Sequence, residues 1–329
     1  LPELAGKAYV VLIVRNQIEL PFPSDILQMT AVTVPMLLAE NKGLDPLDAL
    51  RAIAITDGIP KLVQLFDFQR PFAENLGLLF TQNSAYFRYA ESELRWHFRT
   101  PETYNILLYG MATGHNRISQ LAEFSGFPQN KCDKYLKALD KAGLLETVQR
   151  KDITDHIRTH YYPKGGYWKT WFRYVFPSQG CCLKPLEWDS LQQLANDIDR
   201  SIVAEYFKTV CWKWMKKNYG DYYWDEILRF DDPKQQNVTV NGVHFDYVQE
   251  TKDHTIYVKI WDDIGEGVPK AEFQRIEAAT TAVRPFYENI YFLFSAGRAC
   301  NYVEQLRNLD TVAVVNLKSL LGQKNKELF

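Results

Sequence analysis

Apolar residues recur at helical spacing through much of the first half of the chain and at strand spacing through much of the second. Residues 1 to about 20 hold one short apolar run, AYVVLIV from Ala8 to Val14, bounded by Lys7 and Arg15; its β-branched content predicts a buried strand. From Pro23 to about Glu93 the pattern turns helical. Ser24 or Asp25 would cap a segment through Ala39, Asp45-Pro46 opens a second through Ile55, and a third runs from near Pro60 to Phe68.

The stretch from Thr100 to about Val148 is the most regular. Thr100-Pro-Glu opens a helix carrying Tyr104, Leu107, Leu108 and Met111, ended by Thr113-Gly114. Ile118, Leu121, Ala122 and Phe124 mark a second short helix, Gly126-Phe127-Pro128 a turn, and the run from Asn130 a third helix stopped by Gly143. LLETVQ and IRTHYY then read as two strands separated by the polar RKDITDH. Three helices followed by a β-hairpin is the order of a winged helix-turn-helix.

Residues 166 to 180 are rich in aromatics (Tyr167, Trp168, Trp171, Phe172, Tyr174, Phe176) and predict a packed connector, with a domain boundary near 178 to 185. Leu191 to Asn218 is long and helical. VTVNGVHFDYVQ and HTIYVKIWDD predict two strands, FQRIEAATTAV a helix, NIYFLFS a third strand, and the remainder a helical tail. The expected fold class is α+β and multidomain: a helical segment over 1–98, a winged helix with its connector over 99–178, and an α/β domain over 179–329.

Composition narrows the functions open to this pattern. The 329 residues, 46% hydrophobic and 24% charged, exclude disorder as the main state and suit two or three domains. With 38 Lys+Arg against 40 Asp+Glu, the net charge of −2 excludes a generally basic nucleic-acid coat, so a polyanion site must be local. Residues 101–175 carry 11 Lys+Arg and 7 Asp+Glu, a net of +4 that leaves the rest at −6. In a helix-turn-helix the last helix offers its N-terminal turns to the major groove, and the wing touches phosphates. The corresponding candidates are Gln129, Asn130, Lys131, Lys134 and Lys137 on the third helix, with Arg150 and Lys151 at the wing. Double-stranded DNA is the expected partner; docking of another protein on the same module is the alternative.

Five cysteines, at 132, 181, 182, 211 and 300, show neither CxxC nor Cys/His ligand spacing, which argues against a disulfide framework or a zinc site and fits a reducing cytoplasm. No apolar run approaches the roughly 18 residues a membrane span needs, so no membrane partner is expected. His115, His156 and His160 read as solvent-facing or hydrogen-bonded. The chain has no initiator Met and no signal-peptide pattern, and reads as the downstream part of something longer.

Metal-dependent nucleases need clustered carboxylates to hold Mg²⁺ and a nearby Lys to assist the attacking water. Asp246 in GVHFDYVQ, Lys259 in TIYVKIW and Glu205 on the preceding helix offer those types. Two positions before Lys259 stands Tyr257, which is no hard carboxylate ligand. Asp262 or Asp263 would have to supply the missing oxygen, and consecutive strand residues face opposite ways. The expectation is a remnant catalytic site at Asp246, Lys259 and Glu205 that holds no metal.

Several pieces together resemble a known family. They are Thr56-Asp-Gly-Ile-Pro-Lys, Arg70-Pro-Phe, the stretch from ESELRWHF at Glu91 through LLETV, YYPKGGYWKTWFRYVFPS, and the strand pair with Asp246 and Lys259. In this order they are similar to the prokaryotic DEXX-box ATPases of the AAA+/STAND-like group, over most of the chain and most specifically from 91 to 176. The resemblance implies a P-loop core ending near Arg15, a helical lid to about residue 95, a winged helix, and a restriction-endonuclease-like PD-(D/E)xK domain. Its nuclease Asp, Lys and helix Glu carry onto Asp246, Lys259 and Glu205, and its remaining carboxylate falls on Tyr257. No GxxxxGK[ST] occurs, so this chain alone should not hydrolyse ATP. ATP and Mg²⁺ would be cofactors only of an upstream P-loop module, and Mg²⁺ of the nuclease-like site if it is active. The leading expectation is a DNA-interacting, non-catalytic portion of such an ATPase. A Mg²⁺-dependent nuclease with a rearranged acidic site is one alternative. The other is a regulatory module that contacts a protein partner or a second copy without binding DNA.

Overall fold

The computed structural model describes residues 30–81, 84–151, 156–177, 187–218, 220, 222–223, 226–230, 232–261, 263–264, 268–297 and 311–321. The expected strand at Ala8–Val14, the cap at Ser24 or Asp25, the boundary near 178–185, Cys181, Cys182, Cys300 and Asp262 lie outside the described residues. The chain divides into two units, Leu1–Ala31 and Val32–Phe329, and the second holds all the described helices and strands.

Five helices open this second unit: α1 (Val34–Glu40), α2 (Pro46–Thr56), α3 (Pro60–Val63), α4 (Phe72–Leu79) and α5 (Ala85–His97). Asp45 caps α2 by accepting the Leu47 N–H at 2.7 Å, and Pro46 occupies the first turn, where a missing N–H costs nothing. The third helix stops at Val63 instead of reaching Phe68. The loop beyond it is pinned by buried Asn75, whose amide accepts the Asp67 N–H and donates to the Asp67 carbonyl, both at 2.9 Å.

Next come α6 (Glu102–Ala112), α7 (Ile118–Ser125) and α8 (Gln129–Lys141), then the antiparallel strands β1 (Leu145–Lys151) and β2 (Ile157–Pro163). Leu107, Leu108, Met111, Leu121, Cys132, Leu136 and Leu139 fill the space between the helices. Asn116 ties the hairpin to the α6–α7 turn: its carbonyl accepts the Tyr161 N–H at 2.8 Å, and its amide donates to the Tyr161 carbonyl at 3.0 Å.

The aromatic connector is a helix built into the core. It forms α9 (Gly165–Thr170) and continues through a π turn, Trp171–Val175, burying Tyr167, Trp168, Trp171 and Phe172. The residues from Thr56 and those from Lys164, 108 positions apart, meet here. Asp57, at φ 52° past the end of α2, accepts the Gly166 N–H at 2.7 Å and the Tyr167 N–H at 3.1 Å, satisfying two of the free donors at the start of α9. Gly166 permits the approach, since a Cβ there would lie 1.8 Å from the Ala54 carbonyl oxygen. The Tyr167 hydroxyl then donates to the Tyr86 carbonyl at 2.8 Å.

After α9 the chain forms α10 (Trp188–Ile198), a second π turn (Asp199–Val203), α11 (Ala204–Lys217) and the short strands β3 (Tyr222–Tyr223) and β4 (Glu226–Ile227). Arg51 of α2 grips Asp199 with two bonds, 3.0 and 2.6 Å. Burial pushes the Asp199 carboxyl up, against the pull of that guanidinium.

A five-stranded sheet closes the structure, in the order β5 (Gln236–Val240), β6 (Val243–Glu250), β7 (Thr255–Trp261), β8 (Asn289–Ser295), β9 (Val312–Asn316). The first three strands are antiparallel, while β8 and β9 run parallel to β7, with α12 (Lys270–Thr281) crossing between β7 and β8. Alternate residues feed two cores. Ile256, Val258, Ile260, Phe292 and Phe294 join the helices on the α11 face, while Tyr257, Tyr291, Leu293 and Val314 pack on α12. A short helix, α13 (Leu317–Leu321), follows β9.

Two sequence expectations change here. VTVNGVHFDYVQ is two strands, because Asn241 and Gly242 both take positive φ, 45° and 79°, and turn the chain back. VAVVN is strand β9, paired in parallel with β8, where a helical tail was expected.

Candidate functional site

The three-helix unit sorts its charged residues cleanly from its core. Helix α8 buries Cys132, Leu136 and Leu139 at helical spacing and leaves Gln129, Asn130, Lys131, Lys134 and Lys137 exposed. The Lys131 ammonium lies over the Phe127 ring at 4.0 Å, which fixes the charge beside the helix start. Lys137 pairs with Asp133 at 2.6 Å, and that hydrogen bond raises its pKa and keeps it charged. Gln129, Asn130, Lys131 and Lys134 therefore carry most of the uncommitted polarity.

The hairpin divides its residues between two faces. Tyr161 lies near Asp133 and Lys137 of α8, so odd-numbered positions of β2 address that helix. Glu146, Val148, Arg150 and Tyr162 point the other way and form one wall of a cleft of about 670 Å³. Arg150 thus lies on the cleft wall, its guanidinium 5.6 Å from the centre of the Tyr162 ring, and the register pairs it with Arg158 on the neighbouring strand. Arg158 escapes sequence reading, because only the register sets it beside Arg150. Lys151 is the last residue of β1.

The opposite wall comes from α9, the two π turns and the start of α11, through Lys169, Arg173, Ser201 and Glu205. Lys169 is nearly enclosed: its ammonium lies 2.5 Å from Glu205 and 3.7 Å from Glu146. Glu205, expected among the nuclease residues, is committed to this pair. Behind Lys169, burial raises the Asp57 carboxyl to about 6, against the two backbone N–H bonds and the lysine charge.

The remaining nuclease-type residues are structural members of the sheet. Ladder pairing between β6 and β7 covers Tyr247 to Glu250 and ends there. Beyond it, buried Asp246 accepts the Ile260 N–H at 2.7 Å, and Lys259 donates to the His244 carbonyl at 2.7 Å. Each side chain substitutes for a backbone bond where the strands part. The charge of Asp246 acts on Cys211 of α11, whose thiol burial has already pushed well up. Lys259 alternates with Val258 and Ile260 of the α11 face and so projects to the α12 face. Tyr257 is buried there, stacked on Tyr291 with ring centres 5.8 Å apart. Among the described residues no ion pair joins Asp246 to Lys259, and no three His, Cys, Asp or Glu stand close enough to hold a metal ion. Asp263 follows β7, half-buried.

No family model matches the chain. A stretch of 126 residues, 37% of the chain, is 26% identical to an uncharacterized protein, MJECL04, of Methanocaldococcus jannaschii and covers 28% of that protein's length. A crystal structure of protein VC1899 from Vibrio cholerae aligns over 76% of this chain and 54% of its own, with 9% identity and a TM-score of 0.25, too slight a likeness to argue from. No helix among the described residues is long and apolar enough to cross a membrane.

Proposed function

We propose that residues 102–163 are a winged helix that binds double-stranded DNA through α8, within the lid, winged-helix and nuclease-like part of a cytoplasmic DEXX-box-type ATPase. The observation that carries this reading is the exposed face of α8: Gln129, Asn130, Lys131 and Lys134 occupy its first two turns and hold up nothing in the core. That is the end of a recognition helix that meets base edges, with lysines at its flank for phosphates. The sheet domain acts as a non-cleaving scaffold in this reading, since Asp246, Lys259 and Glu205 each serve a different structural bond.

Fluorescence anisotropy of the whole chain with a labelled duplex, at about 50 and 200 mM salt, tests it. Affinity should fall steeply with salt and the DNA should stay intact with Mg²⁺. Lys131→Ala with Lys134→Ala should weaken binding about tenfold for all sequences and reduce the salt slope by up to about 2. Unchanged affinity in that double variant would sink the assignment to α8. Mg²⁺-dependent shortening of the DNA would overturn the non-cleaving reading.

A further inference from the structure

The cleft on the far side of the hairpin from α8 has a lining of its own. Two guanidinium groups border it. Arg150 makes no ion pair among the described residues, and Arg173 reaches Asp197 only at 3.5 Å. The register sets Arg158 beside Arg150 on the same hairpin face. Lys169 is held between Glu146 and Glu205, so the cleft lining offers carboxylate oxygens as well as guanidinium donors.

The backbone supports the same wall. Both π turns, Trp171–Val175 and Asp199–Val203, border the cleft through Arg173 and Ser201. Such turns displace the ordinary helical hydrogen bonds and persist mostly where a side chain must be held at a particular place. Here they are locked together, since the Tyr174 hydroxyl donates to Asp197 at 2.7 Å and lies 3.0 Å from the Ser201 hydroxyl.

We infer that this cleft is a binding site for a mononucleotide, with its phosphate on Arg150 and Arg173 and its hydroxyl or amino donors on Glu146 and Glu205. A volume of about 670 Å³ lies within the range of small-ligand sites. Planar guanidinium groups match phosphate oxygens two bonds at a time. Inorganic phosphate would use the guanidinium groups alone and be repelled by the carboxylates beside them, whereas a nucleotide brings donors to those carboxylates. The site does not depend on duplex binding, because α8 lies across the hairpin.

Isothermal titration of the full chain with AMP, and separately with inorganic phosphate, tests the inference. AMP should bind with a Kd below about 1 mM, and phosphate should bind at least about tenfold more weakly. Arg150→Gln and Arg173→Gln should each weaken AMP about tenfold while the melting temperature stays put. Lys131→Ala with Lys134→Ala should leave AMP binding unchanged. Absence of AMP binding at about 5 mM, equal affinity for phosphate, or unaltered AMP affinity in both arginine variants would overturn the inference.

Discussion

Charged residues do opposite work in the three-helix unit and in the sheet. On α8 the lysines stand outside a narrow apolar stripe and bury nothing in the core. In the sheet Asp246 is 6% exposed and its carboxylate carries the Ile260 N–H, so the charge is part of the backbone bonding. A group of the first kind is free to meet a polyanion; a group of the second kind is already spent on the fold. The residue types alone do not separate the two cases, and burial with partner identity does.

The largest expected effect lies at the seam both regions depend on. Gly166→Ala would set a methyl group 1.8 Å from the Ala54 carbonyl, forcing α2 and α9 apart and pulling Asp57 from its two N–H partners. Overpacking of this kind costs about 3 kcal/mol, and thermal unfolding should show a drop of about 5 °C. A melting temperature unmoved by the substitution would deny the close approach.

Asp246→Ala comes next, since it strands a buried N–H and should cost about 2 kcal/mol. Asp246→Asn keeps an oxygen for Ile260 and should cost well under half as much. Equal losses in the two variants would break the comparison, because the carboxylate would then matter for something other than that bond. Duplex affinity should be untouched in both. Lys131→Ala with Lys134→Ala should show the mirror image, a tenfold loss of duplex binding, about 1.4 kcal/mol, with unfolding free energy within about 0.5 kcal/mol of the parent. A large stability loss there would make α8's lysines structural after all.

Much of this contrast was legible from the chain. The order of three helices and a hairpin, the polar face of α8, the long helix before the sheet and the Asp45-Pro46 cap all follow from spacing and local chemistry, because each is settled within a few residues. Asn241-Gly242 carried a clear turn signal that the surrounding run of strand residues masked. β9 was not legible, since an apolar run as short as VAVVN fits helix or strand, and only pairing with β8 decides. The cleft has no linear signature at all: its walls come from the end of α6, the hairpin, α9, the two π turns and the start of α11. Likewise the Thr56-Asp-Gly and Lys164-Gly-Gly segments carried the family resemblance without showing that they touch. What the sequence could not convey was the partner of each charge, such as Lys169 for Glu205.

The smallest effect concerns pH and the same seam. Burial raises the Asp57 carboxyl from 3.8 to about 6, so the folded chain holds that proton more tightly than the unfolded chain does. Stability from this group is fully present below about pH 3.8 and is lost as the pH rises through about 6. Asp57→Asn removes the ionisation while leaving one oxygen to accept from Gly166 or Tyr167, which gives a reference with the same packing. The parent should therefore lose about 1 kcal/mol relative to Asp57→Asn between about pH 4 and 6.5, an effect held down by the half-buried setting and the Lys169 charge. Urea unfolding of both chains at half-unit steps across that window measures the difference directly. A gap that stays constant with pH would mean that Asp57 titrates alike folded and unfolded. The carboxylate would then be solvated rather than seated on α9, and the close docking of α2 against the connector would fail with it.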